Sequence, residues 1–584
     1  MNLPEPGPIG FADLKAKFRN TQLWVFVMAA VCLALAALAP ILGFARIYPN
    51  LSGFFFIRQD LLVAPFFILA PRLPIWENTA PGKTDWIKPL ATKRGLCLVA
   101  VCLIGICWLG HHVVYLGYNL SRDEQMADFD ATVFAHGKLF WPLPKFWQIH
   151  APALNQTFML PVGNYEGWRS GYLPVNAVLR MAVGYFTSPA LTSPILVAVG
   201  AVSLWRIARR LWPESPSTWA VALILYTGSA QIIANGMTAY AMSGHLALDL
   251  VWLDLFLLNR RWSHVGAIFV GFLAMGLHQP LFHPLFVLPF LGLLFSQRRW
   301  PTLAFYLAGY FLMAAFWVSW PIWISSHGVG HAAPLGPDAP NYLLRAVQAF
   351  HPPSAEAIWL TAVNLLRFVT WQHLLLLPLL AFGIRTSWNR DPLARAIAIS
   401  FLLPIPVMLI LLPYQGHGWG YRYLHGVLGN ACLLACYGWA ALEAQGLSPR
   451  RALAWTSAAT FLVVVPVRAA LVHQMVAPHA RVSSTIAKSA ANFAIVDDLA
   501  VPFAQDLVVN QPDLSNRPIR LLASGLDASD MADICARGNI AIFGAPALKP
   551  IADFFGEPKK PTWQHVLDLE QAARHVHCDI VFGG

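Results

Sequence analysis

The chain has 584 residues, of which 57% are hydrophobic and only 12% are charged. Soluble proteins carry about 25% charged residues, so this composition excludes an ordinary soluble enzyme. The formal net charge is +11, but no basic stripe lies on a soluble segment, so nucleic-acid recognition is not indicated. Apolar runs of about 20 residues recur along most of the chain, which is typical of a multi-pass α-helical membrane protein.

The apolar runs predict about 13 membrane-spanning helices, and the Lys and Arg clusters between them predict the orientation of each helix. Residues 1–22 contain Lys15, Lys17 and Arg19, and no cleavable signal peptide is recognised, so the N-terminus is predicted to be cytoplasmic. The predicted spans are residues 23–44, 54–75, 95–117, 190–208, 217–235, 241–258, 263–278, 280–296, 301–324, 366–385, 394–413, 424–443 and 452–471.

This orientation places two loops on the outer, periplasmic or extracellular, side. The first is the acidic loop, residues 118–189, and the second covers about residues 325–357. His327 and His331 in the second loop have metal-ligand spacing, but two histidines alone are a weak metal signal. The spans that flank residues 278–280 are short, and a re-entrant pair is the alternative to two full spans.

The tail, residues 472–584, differs from the rest because its apolar runs shorten to strand length. The alternation of strands and helices predicts a small α/β domain with a largely parallel sheet. The chain is therefore divided into an N-terminal segment with two spans (1–94), a membrane module (95–471) and a C-terminal domain (472–584). The predicted strands are Phe493–Val496, Ile519–Ala523, Ile540–Phe543 and Ile580–Phe582, and the predicted helices are Ser529–Ala536 and Trp563–His575.

Cys535 and Cys578 are the two cysteines of the tail. An oxidising compartment would allow a disulfide between them, and two unrelated buried thiols are the alternative. The other six cysteines lie in predicted spans, where they are expected to pack as small apolar side chains.

The acidic loop opens with Asp123 and Glu124, and Asp128 and Asp130 follow. An unpaired charge buried beside hydrocarbon is costly, so these carboxylates are expected to have a function. Asp123 at the loop head is suited to act as a general base on an acceptor hydroxyl or amine. In a helix, Glu124 and Asp128 share one face, while Asp123 and Asp130 share another. The alternative is that Asp123 and Glu124 only cap the positive end of this helix.

A second constellation, residues 414–423, combines aromatic residues, glycines and Arg422. An arginine on the outer side opposes the usual positive-inside distribution, so we expect an anionic partner such as a phosphate or pyrophosphate. Snorkelling within an aromatic belt is the alternative. Three glycines indicate close approach of the backbone to a neighbour: Gly416, Gly418 and Gly420.

A third feature interrupts apolar sequence on the same side with His278 and Gln279, followed by Pro280. These polar side chains would suit the wall of a phosphate or sugar pocket. A turn broken by proline, with its polar groups satisfied locally, is an equally good interpretation.

Several short motifs follow one another in an order that resembles the GT-C superfamily of integral membrane glycosyltransferases. An Asp-Glu pair opens the first large loop, Gly137-Lys138-Leu139 ends a helix, and Gly171-Tyr172-Leu173-Pro174-Val175-Asn176 precedes a span that ends in Arg209-Arg210. Within that superfamily the resemblance is to protein O-mannosyltransferases and the lipid A aminoarabinose transferase. It covers roughly residues 95–470.

The resemblance implies that Asp123 is the catalytic base, with Glu124 beside it. It also implies a sugar donor on a polyprenyl phosphate or pyrophosphate, and inversion of the anomeric centre by direct displacement. The chain departs from the aminoarabinose transferase pattern at residues 278–280, where the phosphate-binding lysine is absent. Counting the acidic loop and both other constellations, the candidate substrate-binding residues are Asp128, Glu166, Arg169, Tyr172, His278, Gln279, His417, Tyr421 and Arg422.

The sequence therefore predicts a glycosyltransferase of the bacterial inner membrane that moves a sugar from a polyprenyl-phosphate-type donor to an extracytoplasmic glycan, lipid or protein. The active site and the C-terminus are expected in the periplasm. No cofactor is predicted with certainty, and a divalent cation is left open. The alternative is a transporter or flippase of a lipid-linked glycan, which would place charged residues near mid-membrane and carry internal repeats. A non-catalytic scaffold, in which the acidic cluster is dispensable, is a third interpretation.

Overall fold

The computed structural model describes residues 11–38, 41, 43, 50–69, 86–163, 165–326, 352–447, 449–556 and 561–581. Within these residues the fold is mostly helical, as predicted. The predictions for His327, His331 and most of the second loop, and those for residues 70–85 and 582–584, lie outside the described residues.

The helices follow one another in the order that the apolar runs predict. Before the second loop they are Phe11–Ala37, Leu61–Leu69, Lys93–Val113, Arg122–Ala135, Lys145–Ile149, Val175–Gly184, Thr192–Leu211, Pro216–Thr227, Ala230–Gly236, Met242–Leu258, Arg261–Met275, Phe282–Ser296 and Trp300–Ser325, with a π-helix at Asn50–Asp60. After it they are Ala355–Thr370, Leu376–Ser387, Pro392–Leu402, Pro404–Leu411, Leu428–Glu443, Arg450–Ala459, Val465–Ala487, Asp530–Cys535, Lys549–Phe555 and Gln564–His575.

In the part of the chain that the structure describes, five helical segments are long and apolar enough to cross a membrane. A sixth joins Pro216–Thr227 and Ala230–Gly236, which meet at an angle of 59°. The chain is thus a multi-pass membrane protein, while the predicted number of 13 spans is not confirmed. The five segments are Lys93–Val113, Pro189–Leu211, Trp300–Ser325, Pro392–Leu411 and Arg450–Ala487.

Two predicted spans are interrupted, and their breaks face each other. Residues 217–235 break at Gly228 and Ser229, and residues 366–385 break between Thr370 and Leu376. The hydroxyl of Ser229 donates to Gln372 Oε1 at 2.6 Å, and the amide of Gln231 donates to Trp371 O at 3.3 Å. Polar groups freed by one break thus satisfy those freed by the other, which is how broken helices persist inside membrane proteins.

The acidic loop folds into a helix, a small sheet and a second helix. It contains an antiparallel sheet in which the strand Gly167–Ser170 lies between Trp141–Pro142 and Met159–Val162. The central strand ends two residues before Tyr172, and the hydroxyl of Ser170 accepts a 3.0 Å hydrogen bond from the Tyr172 amide. This sheet therefore fixes the position of Tyr172 relative to the helix Arg122–Ala135.

The tail contains the predicted parallel sheet, with Phe493–Val496 between Ile519–Leu522 and Ile540–Phe543. Of the predicted fourth strand, Ile580 forms an isolated bridge to Ile540, and Phe582 lies outside the described residues. The helices Asp530–Cys535 and Gln564–His575 confirm both predicted tail helices with slightly shorter ends. The proposed boundary between residues 471 and 472 falls inside the helix Val465–Ala487.

A disulfide joins Cys535 to Cys578, and their Cα atoms lie 5.3 Å apart. The bond ties the end of the helix Asp530–Cys535 to the segment that follows Gln564–His575. Of the two interpretations that the sequence left open, the disulfide is the one observed.

One face of the tail sheet packs on the acidic loop instead of on tail residues alone. Phe493, Ile495 and Leu521 of the sheet belong to the same buried cluster as Met126 and Phe129 of the loop helix. Polar contacts join the same surfaces: Trp168 Nε1 donates to Pro512 O at 3.0 Å, Arg122 Nη1 to Val508 O at 3.3 Å, and Gln125 Nε2 to Asp506 O at 2.8 Å. The loop and the tail therefore share a core.

Buried polar side chains hold the N-terminal π-helix Asn50–Asp60 to the membrane module. Asp60 Oδ1 accepts from Arg468 Nη2 at 2.9 Å and from the Thr370 hydroxyl at 2.7 Å. Arg468 also donates to Gln59 Oε1 at 3.0 Å. Asp60 and Arg468 are both fully buried, so this contact is part of the packed interior.

Candidate active site

The helix Arg122–Ala135 begins with Asp123 and Glu124 in its first turn, and the two side chains have different surroundings. Glu124 Oε2 accepts from the amide of Ser121 at 3.1 Å and from its hydroxyl at 3.3 Å. This is the reciprocal contact of a capping box. Glu124 is buried and does not line the pocket described below, so the capping interpretation describes Glu124 but not Asp123.

Asp123 lies at a pocket in which both of its carboxylate oxygens have partners. Oδ2 accepts from Arg422 Nη2 at 2.6 Å, and Oδ1 accepts from the hydroxyl of Tyr172. The ring of His278 lies against Tyr172, with centroids 4.1 Å apart. Three segments that the sequence singled out separately, the loop head, the Gly-Tyr-Leu-Pro stretch and the glycine-rich turn, therefore meet at one carboxylate.

The pocket is small, with an empty volume of about 350 Å³. Its walls come from the acidic loop, from the start of the helix Met242–Leu258, from the turn after Arg261–Met275 and from Arg422 of the glycine-rich turn. Asp123 and Asp130 both face it, which confirms that these two share one side of the helix. The lining residues are Asp123, Met126, Ala127, Asp130, Ser170, Tyr172, Leu173, Asn176, Ala177, Tyr240, Ala241, Met242, Leu277, His278 and Arg422.

Arg422 is held in place by backbone carbonyls. Its Nη1 donates to His417 O at 2.7 Å and to Gln415 O at 3.1 Å, and the guanidinium lies 4.4 Å from the centre of the Tyr240 ring. A Cβ at Gly418 would lie 2.0 Å from Arg422 Cδ, so only glycine leaves room for this side chain. The prediction of close approach is confirmed for Gly418.

The other two glycines of this turn differ from each other. A Cβ at Gly420 would lie 2.2 Å from Gln231 Oε1, so the close approach is also confirmed there. Around Gly416, by contrast, no described atom lies within 4 Å of the Cβ position. Gly416 has φ +66°, and glycine is favoured at this position because the backbone adopts a left-handed conformation.

The charges of the pocket follow from burial and from this pairing. Burial alone would raise the pKa of Asp123, but the Arg422 guanidinium, His278 and the Tyr172 hydroxyl outweigh it and lower that pKa. Burial raises the pKa of Glu124 to about 8 and that of Asp130 to about 6. At neutral pH the site thus contains the ionised carboxylate of Asp123 and a mostly ionised Asp130, beside a mostly protonated Glu124.

Some predicted site residues support the pocket without lining it. Arg169 is buried, contacts Asp130 Oδ2 at 3.4 Å and donates to Tyr172 O at 3.1 Å. His417 contributes its carbonyl to Arg422, and Tyr421 is a core residue whose carbonyl accepts from Gln231 Nε2 at 2.8 Å. Substrate contacts for these three stay predictions, and the geometry gives each a supporting position.

Three further predicted residues lie apart from the pocket walls. Asp128 points to the other side of its helix and pairs with Arg180 at 2.6 Å. Glu166 lies in the turn between the strands Met159–Val162 and Gly167–Ser170. Gln279 follows His278 in the turn and is half-buried. None of the three is among the lining residues, and substrate contacts for them stay predictions.

The site also includes residues that the sequence did not single out. Tyr240 stacks on Arg422. It lies next to the predicted span 241–258, so the sequence offered no reason to place it in a site. Phe503 of the tail lies against the ring of His417, with centroids 3.7 Å apart. It adopts φ +63°, which is uncommon for a bulky residue. No local sequence signal connects Phe503 to His417, because that contact depends on how distant segments pack.

No three His, Cys, Asp or Glu side chains are grouped as a metal site in the described part of the chain.

Comparison with known proteins finds similarity at the level of structure. The chain is similar to ArnT from Cupriavidus metallidurans bound to undecaprenyl phosphate, at 13% identity and a TM-score of 0.45, over 79% of this chain and 88% of that one. ArnT in the apo state gives 12% identity and a TM-score of 0.44, over 71% and 84%. No protein-family model and no curated protein matches the chain.

Proposed function

We propose that this protein is a GT-C-type glycosyltransferase that moves a sugar from a polyprenyl-phosphate donor to an extracytoplasmic acceptor, with inversion at the anomeric carbon. The observation that carries the proposal is the meeting of Asp123, Tyr172 and Arg422 at one pocket. An ionised carboxylate there can take a proton from the acceptor, and a fixed guanidinium can hold a phosphate. We place the protein in a bacterial inner membrane, with this pocket and the tail in the periplasm.

In the proposed reaction Asp123 takes the proton of the acceptor hydroxyl as the acceptor oxygen attacks the anomeric carbon. The bond between that carbon and the donor phosphate oxygen breaks at the same time. The lipid phosphate leaves with the electron pair, and Arg422 stabilises the charge that develops on it. Such preorganised charge stabilisation is commonly the largest contribution to enzymatic rate enhancement.

The purified protein in proteoliposomes should transfer sugar from a synthetic polyprenyl-phosphate sugar and not from the matching nucleotide sugar. Arg422→Ala should raise the KM for the lipid donor more than the KM for the acceptor, because the guanidinium is assigned to the phosphate. Equal effects on both constants would contradict that assignment. Absence of transfer from every polyprenyl-phosphate sugar tested would contradict the proposed function.

A transporter of lipid-linked glycans is the second candidate, and one observation favours it. Ionisable residues are buried within the helices, where Asp249 lies 2.6 Å from His283, and His283 lies 2.8 Å from the Tyr310 hydroxyl. Intramembrane charges of this kind often mark transport pathways. A fluorescent lipid-linked glycan that crosses the bilayer of proteoliposomes without sugar transfer, and no longer crosses after Asp249→Asn, would support this candidate.

A further inference from the structure

The contact between Asp123 and Arg422 raises a difficulty for the reaction just proposed. The group assigned as base and the group assigned to the phosphate are bound to each other at 2.6 Å. The ion pair lowers the pKa of Asp123 despite its burial, and a carboxylate with a low pKa is a weak base. While the two side chains are bound to each other, therefore, neither group is free for its role.

Arg422 is the less mobile partner. Its Nη1 is bound to two backbone carbonyls, its guanidinium lies on Tyr240, and its side chain crosses the space above Gly418. Arg422 Nη2 donates to Asp123, whose side chain is 15% exposed against 6% for Arg422. An anion that enters the pocket and approaches Nη2 therefore meets Asp123 as its competitor.

The groups that face Asp123 come from several elements, and they bear on its charge in different directions. Arg422, His278 and the Tyr172 hydroxyl favour its ionised form. Glu124 of the same helix, Asp506 of the tail and Tyr240 lie close enough for their charge states to be coupled to that of Asp123. His417 of the glycine-rich turn is also coupled to it. Replacement of Arg422 as the partner would thus remove the strongest of the groups that favour the ionised form of Asp123.

We propose that the phosphate of the lipid donor displaces Asp123 from Arg422, so that the base is released and activated only when the donor is bound. This inference rests on the proposed function. The incoming phosphate neutralises Arg422 and adds a negative charge beside Asp123, and a like charge makes a carboxylate hold a proton more tightly. The donor thereby prepares the group that removes the acceptor proton, and binding is ordered with the donor first.

This mechanism makes a distinctive prediction for binding. In the wild type part of the binding free energy is spent on breaking the Asp123–Arg422 contact, whereas Asp123→Asn leaves a neutral and weaker competitor. Farnesyl phosphate should therefore bind Asp123→Asn at least about tenfold more tightly than the wild type, measured by calorimetry in detergent. Arg422→Gln should lose this binding, while farnesol, which lacks the phosphate, should show no gain with Asp123→Asn.

A matched control is Asp254→Asn. Asp254 also pairs with arginines, Arg206 at 2.8 Å and Arg210 at 3.0 Å, but it lies near the far end of Met242–Leu258, away from the pocket. Its substitution should leave the Kd for farnesyl phosphate unchanged. Inorganic phosphate is a further arm, because the same tightening with phosphate alone would assign the site to a free anion and overturn the lipid-donor form of the inference.

The pH dependence of the wild type tests the same idea without a variant. The acid limb of kcat/KM for the donor reports Asp123 in the free enzyme, and the acid limb of kcat reports it with the donor bound. The limb of kcat should lie at higher pH, and coincident limbs would overturn the inference. If wild-type sugar transfer is present but Asp123→Asn binds no more tightly, the inference alone fails. If transfer itself is absent, the proposed function fails.

Discussion

Two buried contacts between an aspartate and an arginine differ in what surrounds them. In the pocket pair, Asp123 and Arg422 lie 2.6 Å apart, and in the interior pair, Asp60 and Arg468 lie 2.9 Å apart. The side chains of the interior pair are at most 1% exposed, while Asp123 is 15% exposed and borders a cavity. A pair of aspartate and arginine thus stabilises the structure when protein groups enclose it, and it is available to a ligand when one side borders a cavity.

The largest effect should come from the interior pair. Asp60→Ala leaves Arg468 in a dry environment beside Gln59 and Thr370, and removal of one partner of a buried pair costs about 3–5 kcal/mol. Chemical unfolding in detergent should show a loss of this size in the free energy of unfolding. Sugar transfer per folded molecule should be unchanged, and a selective loss of transfer would erase the distinction between the two pairs.

The pocket pair should respond in the opposite way. Asp123→Asn keeps the shape of the side chain but removes the base, so transfer should fall by at least about 100-fold. The unfolding midpoint should move much less than it does in Asp60→Ala. Near-normal turnover in Asp123→Asn would refute the assignment of Asp123 as the base.

Glu124 extends the comparison to a buried carboxylate whose capping contact is with Ser121 and not with an arginine. Its folded-state pKa of about 8 lies above the usual value of 4.5, so the folded state holds a proton that the unfolded state releases. The contribution of Glu124 is full below pH 4.5 and is lost as pH rises to about 8. Through Glu124, stability should fall by about 2 kcal/mol between pH 6.5 and 9. Glu124→Gln should remove this part of the pH dependence, while the part that comes from Asp506, whose pKa burial raises to about 7, should stay. A pH profile identical to the wild type would contradict it.

The smallest effect should come from the tail. Phe503 packs on His417, whose carbonyl holds Arg422, and such a ring contact is worth about 1 kcal/mol. Phe503→Ala should raise the KM for the lipid donor several-fold with kcat little changed, and Phe503→Tyr should restore it. A fall in kcat with no change in KM would show that Phe503 does not act through Arg422.

The sequence predicted features that depend on neighbouring residues. The carboxylates at the loop head, the arginine in a glycine-rich aromatic turn and the parallel sheet of the tail all follow from local patterns. The contact between Asp123 and Arg422 joins residues 299 positions apart, and their common side of the membrane indicated nearness without indicating that they would bind each other. Short-range periodicity likewise does not show where a helix breaks, because Ser229 and Gln372 compensate each other across 143 residues.

The sequence also did not predict that the acidic loop and the tail share a core. Each partner looked self-sufficient, since the loop is rich in aromatic residues and the tail is long enough to bury its own apolar side chains. The sequence also left open whether Asp123 and Glu124 only cap their helix, and the hydrogen bonds of Ser121 assign the capping contact to Glu124.

The contact of Arg122 with the tail has a consequence for the order in which the protein matures. Arg122 immediately precedes the catalytic candidate, and the carbonyl that its Nη1 binds, Val508 O, is synthesised 386 residues later. A ribosome has therefore completed nearly all of the membrane helices before the head of the acidic loop gains its last support. A chain truncated before the tail would lack this contact, and with it one of the supports of the residue next to Asp123.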